Sequence, residues 1–311
     1  MNQASCGRKR IGLGCMPLTG IYGHIARDVA VEIIQQALNM GVTHFDTAEL
    51  YGPFVNEELL ADALGSHRAR VEVATKFGYR LEAGKIVGLD SRPQSIRSAV
   101  EGSLRRLRRD YVDVLYQHRP DPNVAVEDVV GTMSDLVKEG KVLDLGLSAT
   151  DTETVQRASA VHRISFVQNE YSLIQREPEK GLLAYLNNQR IEFVCYSPLG
   201  RGILGRITDG ETKRSSTDHR AKDPRFEPAR LAEINRALDP LWDVATAHSV
   251  APPAVALAWL LAKSPTIRVI PSATSIEQLK TNLGGAEIVL SSEEMASLDK
   301  LDENLKTSVL Q

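Results

Sequence analysis

Eight short apolar runs alternate with stretches of helical periodicity between residues 11 and 287, which predicts an α/β chain closed into a (β/α)8 TIM barrel. Two further observations agree. The runs are apolar on both faces, as strands of a parallel sheet covered by helices must be. A length of 311 residues suits one such barrel with extra helices, so a single domain over 1–311 is expected.

The elements follow in order. "IGLGC" (11–15) precedes the helical pattern "VAVEIIQQALNMG", whose Gly41 stands where a helix C-cap belongs. "VTHF" (42–45) precedes "NEELLADALG", and "VEVATKF" (71–77) precedes "SIRSAVEGSLRRL", entered through Ser91 and Pro93. "VDVLYQH" (112–118) precedes "VEDVVGTMSDLVKEGK", and "LDLGLS" (143–148) precedes "TETVQRASAV". "ISFVQN" (164–169) precedes "EKGLLAYLNNQ", "IEFVCYS" (191–197) leads through a long loop to "PAVALAWLLAK", and "IRVIPS" (267–272) precedes "SIEQLKTNLGGA". Two helical patterns are surplus, 230–248 in the seventh connection and "SSEEMASLDKL" near the C-terminus. Segment 201–229, rich in Gly, Arg, Lys, Asp and Ser, is too long for a connector and reads as a lid or a disordered loop. A doubly wound dinucleotide fold would need G-x-G-x-x-G on its first turn. Here "GLGCMP" (12–17) lacks the third small residue, and no helix opens there.

Composition excludes several classes. The apolar fraction is 42%, charged residues are 25%, and the net charge is −3 with both signs interspersed, which draws the chain to neither nucleic acid nor anionic membrane. No apolar run approaches transmembrane length; the longest is "AVALAWLLA" (254–262), and "MNQASCGRKR" has no signal-peptide core. Cys6, Cys15 and Cys195 are odd in number and scattered. That argues against a disulfide framework or a metal site and fits a cytoplasmic protein.

The strand ends carry the chemistry. In a barrel all strand C-termini meet one rim. Asp46 and Tyr51 follow the second strand in "HFDTAELYG", Lys76 ends the third, and His118 ends the fourth. Strands lie about 4.8 Å apart, so these four long polar side chains can converge. A tyrosine exchanges protons poorly at neutral pH, its pKa being about 10, and a buried ammonium beside it lowers that value. Asp46 would hold Lys76, and His118 would orient a carbonyl by hydrogen bonding. No cysteine pair, metal cluster or nucleophile elbow supplies electrons, so a bound hydride donor is implied. Ser148, Gln168, Asn169, Tyr196 and Ser197 at the next strand ends suit a nicotinamide, and "IPSATSIEQLKTN" (270–282) suits a phosphate at a helix N-terminus.

These motifs together resemble the aldo-keto reductase family over nearly the whole chain, in "DTAELYG", "VEVATKFG", "YQHRPDPNVAVED", "LVKEGKVLDLGLS", "VQNEYSLIQRE" and "YSPLGRGILG". Within it the chain looks most similar to the bacterial and plant group of pyridoxal reductase-like enzymes. The resemblance implies NAD(P)H-dependent, reversible reduction of an aldehyde or ketone. In it Tyr51 is the general acid/base, Lys76 and Asp46 tune it, and His118 orients the carbonyl. It implies nucleotide contacts from Gly14, Cys15, Met16, Ser148, Gln168, Tyr196, Ser197, Leu199, Arg201, Ser272, Thr274, Gln278 and Asn282. Ser148 and Gln168 would hold the carboxamide and Tyr196 would stack on the ring. NADP(H) is the expected cofactor. NAD(H) stays open because Thr274 and Gln278 are neutral where NADPH-preferring members carry cations; Lys280, Arg201 or the loop 213–222 could substitute. Ile21, Tyr22, Phe54, Phe77 and Arg119 are the expected substrate pocket. The expected partner is a small carbonyl or alcohol substrate, with the chain a monomer or a weak homo-oligomer. A second reading keeps fold and nucleotide but not turnover, as a regulatory subunit.

Overall fold

The computed structural model describes residues 10–205 and 218–301. Its strands are β1 (Leu13–Gly14), β2 (His44–Asp46), β3 (Glu72–Phe77), β4 (Tyr79–Glu82), β5 (Lys85–Leu89), β6 (Val112–Gln117), β7 (Val142–Ser148), β8 (Phe166–Glu170), β9 (Glu192–Tyr196) and β10 (Ile267–Val269). Eight form one parallel sheet in the order β1-β2-β3-β6-β7-β8-β9-β10. The sheet closes on itself. Ile11 bridges Val269, Gly12 N–H donates to Val269 O (2.9 Å), and Val269 N–H donates to Arg10 O (2.9 Å). Arg10 Nη1 also donates to the carbonyls of Leu261 (3.0 Å), Ser264 (3.0 Å) and Ile267 (3.3 Å). The result is the expected (β/α)8 barrel.

Helices α1 (Arg27–Asn39), α2 (Val55–Leu64), α3 (Pro93–Leu107), α4 (Val126–Lys138), α5 (Thr152–Val161) and α6 (Leu182–Gln189) follow the first six barrel strands. The surplus pattern at 230–248 is α7 (Pro228–Ala237) and α8 (Asp239–Ala247), ahead of α9 (Pro252–Lys263). After β10 come α10 (Ile276–Gly284) and α11 (Ser292–Asp299), the latter opened by a Ser291/Glu294 capping box. Gly41 lies past the end of α1 at φ 87°, where a Cβ would be strained. No single helix among the described residues is long and apolar enough to cross a membrane; "AVALAWLLA" lies in α9, whose Leu257, Trp259 and Leu260 are core.

Three local expectations need correction. Strand 2 runs to Asp46, so the carboxylate sits on the strand itself. Ser91 does not cap α3. It is fully buried, its N–H donates to Asp121 Oδ2 (2.9 Å), and its hydroxyl accepts from Gln117 Nε2 (3.1 Å). The third is a hairpin that the apolar pattern missed. β4 and β5 pair antiparallel between β3 and α3 around the two-residue turn Ala83–Gly84. Both turn residues have positive φ (48° and 74°), the primed geometry that matches strand twist. Part of the long seventh connection (206–217) falls outside the described residues; 201–205 and 218–226 are short 3₁₀ turns.

Alternation along the strands turns one set of side chains inward, and the polar ones among them lie at the two ends of the barrel. Inside the barrel, Ala74, Val114, Tyr116, Phe166, Val194 and Ile270 form an apolar plug. At the end where strands begin, Arg268 pairs with Glu72 (2.8 Å) and Glu192, and His44 Nδ1 meets Glu72. At the other end lie Asp46, Lys76, Ser148 and Gln168, all buried.

Candidate active site

Lys76 Nζ is the hub of this rim. It donates to Asp46 Oδ1, to Thr47 O (2.8 Å) and to Tyr51 Oη (3.3 Å), and it lies 5.0 Å from the Tyr51 ring centroid. Side chains at β2 and β3 meet because Asp46 and Ala74 are paired in register, which puts Asp46 and Lys76 on one face. The second oxygen of Asp46 accepts from Gln168 Nε2 (2.7 Å), so the carboxylate is held from both sides. The His118 ring stands edge-on to Tyr51, with centroids 5.9 Å apart at 81°. Tyr79, at the root of the unexpected hairpin, also packs edge-on against His118, with centroids 5.1 Å apart. His118 Nδ1 is buried without a partner.

The charges differ from the simple expectation in one respect. The Tyr51 phenol is held well above its ordinary pKa, first by burial and then by the negative charge of Asp46, with Arg119 opposing. Lys76 does not lower it as expected, because Asp46 cancels that charge at hydrogen-bonding distance. Burial also pulls the Lys76 ammonium down, with Asp46 opposing. His118 falls well below its ordinary value through burial and the nearby Lys76 and Arg119 charges, so the imidazole is neutral near pH 7. The rim therefore presents a protonated phenol and a neutral imidazole.

A second set of residues, unmarked in the sequence, braces this turn. Thr47 Oγ1 donates to Asn56 Oδ1 (2.7 Å), and Asn56 Nδ2 donates to Cys15 O (2.8 Å) and Thr19 Oγ1 (3.1 Å). Glu57 is fully buried, accepting from Thr75 Oγ1 (2.6 Å) and Arg106 Nε (2.6 Å). Beside it Glu49, also buried, is raised to about 7. Burial is the main cause, followed by the Glu57 charge; Arg106 and the Gly78 N–H oppose. A carboxyl raised in the folded state binds more protons folded than unfolded between its two pKa values, so stability falls as pH rises from about 4.5 to 7. Glu49→Gln should match the wild type below that window and exceed it by on the order of 1–3 kcal/mol at pH 8. Urea unfolding at pH 4 and pH 8 checks this, and equal gains at both would refute it.

The remaining expected contacts divide. Ser148 Oγ is buried without a partner at the end of β7. Gly14 N–H donates to Pro271 O (3.1 Å), and a Cβ there would come within 2.7 Å of Ile270 O, so the first and last strands meet at this residue. Met16 opens the 3₁₀ turn that follows. After β9 the chain takes positive φ at Ser197, Gly200, Arg201 and Gly202, and Leu199 packs on the core. Asn282 Nδ2 donates to Ser272 O (3.1 Å), and Ser275 caps α10. Gln278 Oε1 accepts from both the Thr274 N–H (2.8 Å) and its hydroxyl (3.1 Å). Ile21 and Tyr22 are held by the seventh connection, through His219 N–H to Ile21 O (2.9 Å) and the Arg220 guanidinium 4.7 Å from the Tyr22 ring.

Four placements correct the expectations. Phe77 points outward, on the Val73 and Thr75 side of β3, into the core beneath the helices. Lys76 faces inward, and its strand neighbour cannot. The Phe54 ring lies 4.6 Å from the Arg106 guanidinium of α3, in the helix layer. The Cys15 thiol is buried in the outer core, and both backbone groups are taken, its N–H by Asp46 O and its carbonyl by Asn56. Arg201 pairs with Asp223 (2.9 Å). Of the loop 213–222, residues 213–217 lie outside the described residues.

The sequence profile described as Aldo/keto reductase family matches residues 10–303. This chain is an aldo/keto reductase. It is 35% identical over 291 residues to "Probable aldo-keto reductase 1" of Glycine max, covering 93% of this chain and 84% of the relative. Among solved structures it resembles a glycerol dehydrogenase from Gluconobacter oxydans with a TM-score of 0.86 and 28% identity, covering 94% of this chain and 90% of the other. It also resembles an aldo/keto reductase from Klebsiella pneumoniae in complex with NADP and acetate, with a TM-score of 0.72, 28% identity and coverage of 94% and 90%. Membership makes the chain an oxidoreductase.

Proposed function

We propose that this aldo/keto reductase reduces an aldehyde or ketone to an alcohol with NADPH, using Tyr51 as the proton donor. The observation that carries the reading is the Lys76 ammonium bonded at once to Asp46 and to the Tyr51 hydroxyl, at the edge of the His118 ring.

Support for a nucleotide comes from residues that fit one. Ser148 Oγ is a buried hydroxyl with no protein partner, suited to a carboxamide. The helix α10 opens beside Ser272 and Thr274, and a helix N-terminus suits a phosphate. NADP in the Klebsiella pneumoniae relative is consistent with this. NADPH held there would supply a hydride for the carbonyl carbon. Tyr51 Oη gives its proton to the carbonyl oxygen, so the product is the alcohol. His118, neutral, aligns that oxygen by hydrogen bonding. Lys76, pinned by Asp46 and Thr47 O, keeps its hydrogen bond on the Tyr51 oxygen as the proton leaves. The resting phenol is protonated, the form a general acid needs for reduction.

Steady-state assays of an aldehyde and ketone panel with NADPH and NADH side by side test the proposal; no turnover with either nucleotide overturns it. The same assay reads nucleotide choice. Thr274 and Gln278 satisfy each other with neutral groups, so the preference for NADPH over NADH should be small. Installing Lys at 274 and Arg at 278 should raise it by about 10- to 100-fold per new charged bond, mainly through the KM for NADPH. A strong NADPH preference in the unmodified protein would mean that another cation serves the 2′-phosphate.

A further inference from the structure

We infer that the substrate carries an anionic group, a carboxylate or a phosphate, which Arg119 receives beside the reacting carbonyl. This deepens the carbonyl-reductase reading and rests on it. Arg119 directly follows His118 past the end of β6, and its guanidinium lies over the Tyr196 ring, 5.7 Å from the centroid. It is half-buried, and among the described residues its one hydrogen bond is from Nη1 to His118 O (2.7 Å). It forms no ion pair among the described residues.

Its neighbours on the rim differ. Arg201 pairs with Asp223, Arg220 with Asp218, and Arg225 with both Asp223 and Glu170. Lys76 is neutralised by Asp46. Arg119 is therefore the cation at the mouth of the site whose charge no described acid cancels. Its field reaches the reacting groups: it bears on Tyr51, Lys76, His118 and Tyr196. Keeping a guanidinium partly out of water without a counter-ion is costly, and an anion arriving with the substrate offsets that cost. Four of its five N–H donors remain for the arriving group. The planar fork fits carboxylate and phosphate oxygens in pairs, which an ammonium does not.

The test compares matched substrates: succinic semialdehyde against butanal for a carboxylate, and glyceraldehyde 3-phosphate against glyceraldehyde for a phosphate. In the unmodified protein kcat/KM should favour the anionic member of at least one pair, and the favoured pair identifies the group. In Arg119→Gln the anionic-to-neutral ratio should fall about 10- to 100-fold, chiefly in KM, with Arg119→Lys in between. NADPH binding, followed by fluorescence titration, should not track that fall. Good turnover of neutral members with no anionic advantage overturns the inference and leaves carbonyl reduction standing. No turnover of either member overturns both. A Gln variant whose ratio is unchanged while NADPH binding weakens would assign Arg119 to the nucleotide and also overturn it. If the Gln variant does not fold, the Lys variant and the ratio in the unmodified protein decide.

Discussion

Tyr51→Phe should lower kcat for carbonyl reduction by about 10²- to 10⁴-fold, the range for removing a general acid. The hydroxyl accepts one hydrogen bond, from Lys76 Nζ at 3.3 Å, so folding stability should change by no more than about 1 kcal/mol. NADPH affinity should be nearly unaltered, because the aromatic ring and its packing against His118 remain. Activity, unfolding midpoint and nucleotide titration on one preparation separate these effects. A Phe variant that keeps most of its turnover would move the proton donor elsewhere.

Lys76→Met should be the more damaging change, because it fails in two ways. The Asp46 carboxylate is 2% exposed, and without the ammonium it becomes a buried charge held only by Gln168. Breaking such a pair from one side costs about 3–5 kcal/mol. The phenol, already held high by burial, also loses the hydrogen bond that Lys76 gives its oxygen. The double variant Asp46→Asn with Lys76→Met removes the orphaned charge and should recover much of the lost stability while staying inactive. Recovery of activity along with stability would show that Lys76 acts only as a structural counter-ion.

Much of this site was legible because it is written at strand ends. Asp46, Lys76, His118 and Gln168 each close a run whose apolar pattern fixes a strand, and barrel topology then brings the ends together. The misses have physical causes. The β4–β5 hairpin buries no face: Ile86 and Val87 are 54% and 42% exposed, so it leaves no apolar alternation, and its turn uses Ala83 in place of the Asn that signals this geometry. Phe77 was recoverable from the two-residue period, since Lys76 beside it must face the other way. Asn56 and Glu57 looked like the polar first turn of a helix, yet both are buried. Their partners, Cys15, Thr19, Thr75 and Arg106, are distant in sequence, and no local pattern announces them. Tyr51 lies beside Lys76, yet its proton affinity is not legible in the sequence: that depends on how completely Asp46 cancels Lys76, which is a matter of distance.

The join between Ile11 and Val269 also governs the order of events in time. β1 is two residues long and finds one neighbour early, in β2, while its other edge waits for β10, the last of the eight barrel strands in chain order. Contacts so far apart along the chain close slowly, because the intervening loop must first be organised. Until then the edges of β1 and β10 are exposed templates for pairing with another molecule. Arg10, gripping the carbonyls of Leu261, Ser264 and Ile267, then acts as a latch set last. A nascent chain halted before residue 267 would hold seven of the eight strands and still be an open, aggregation-prone sheet.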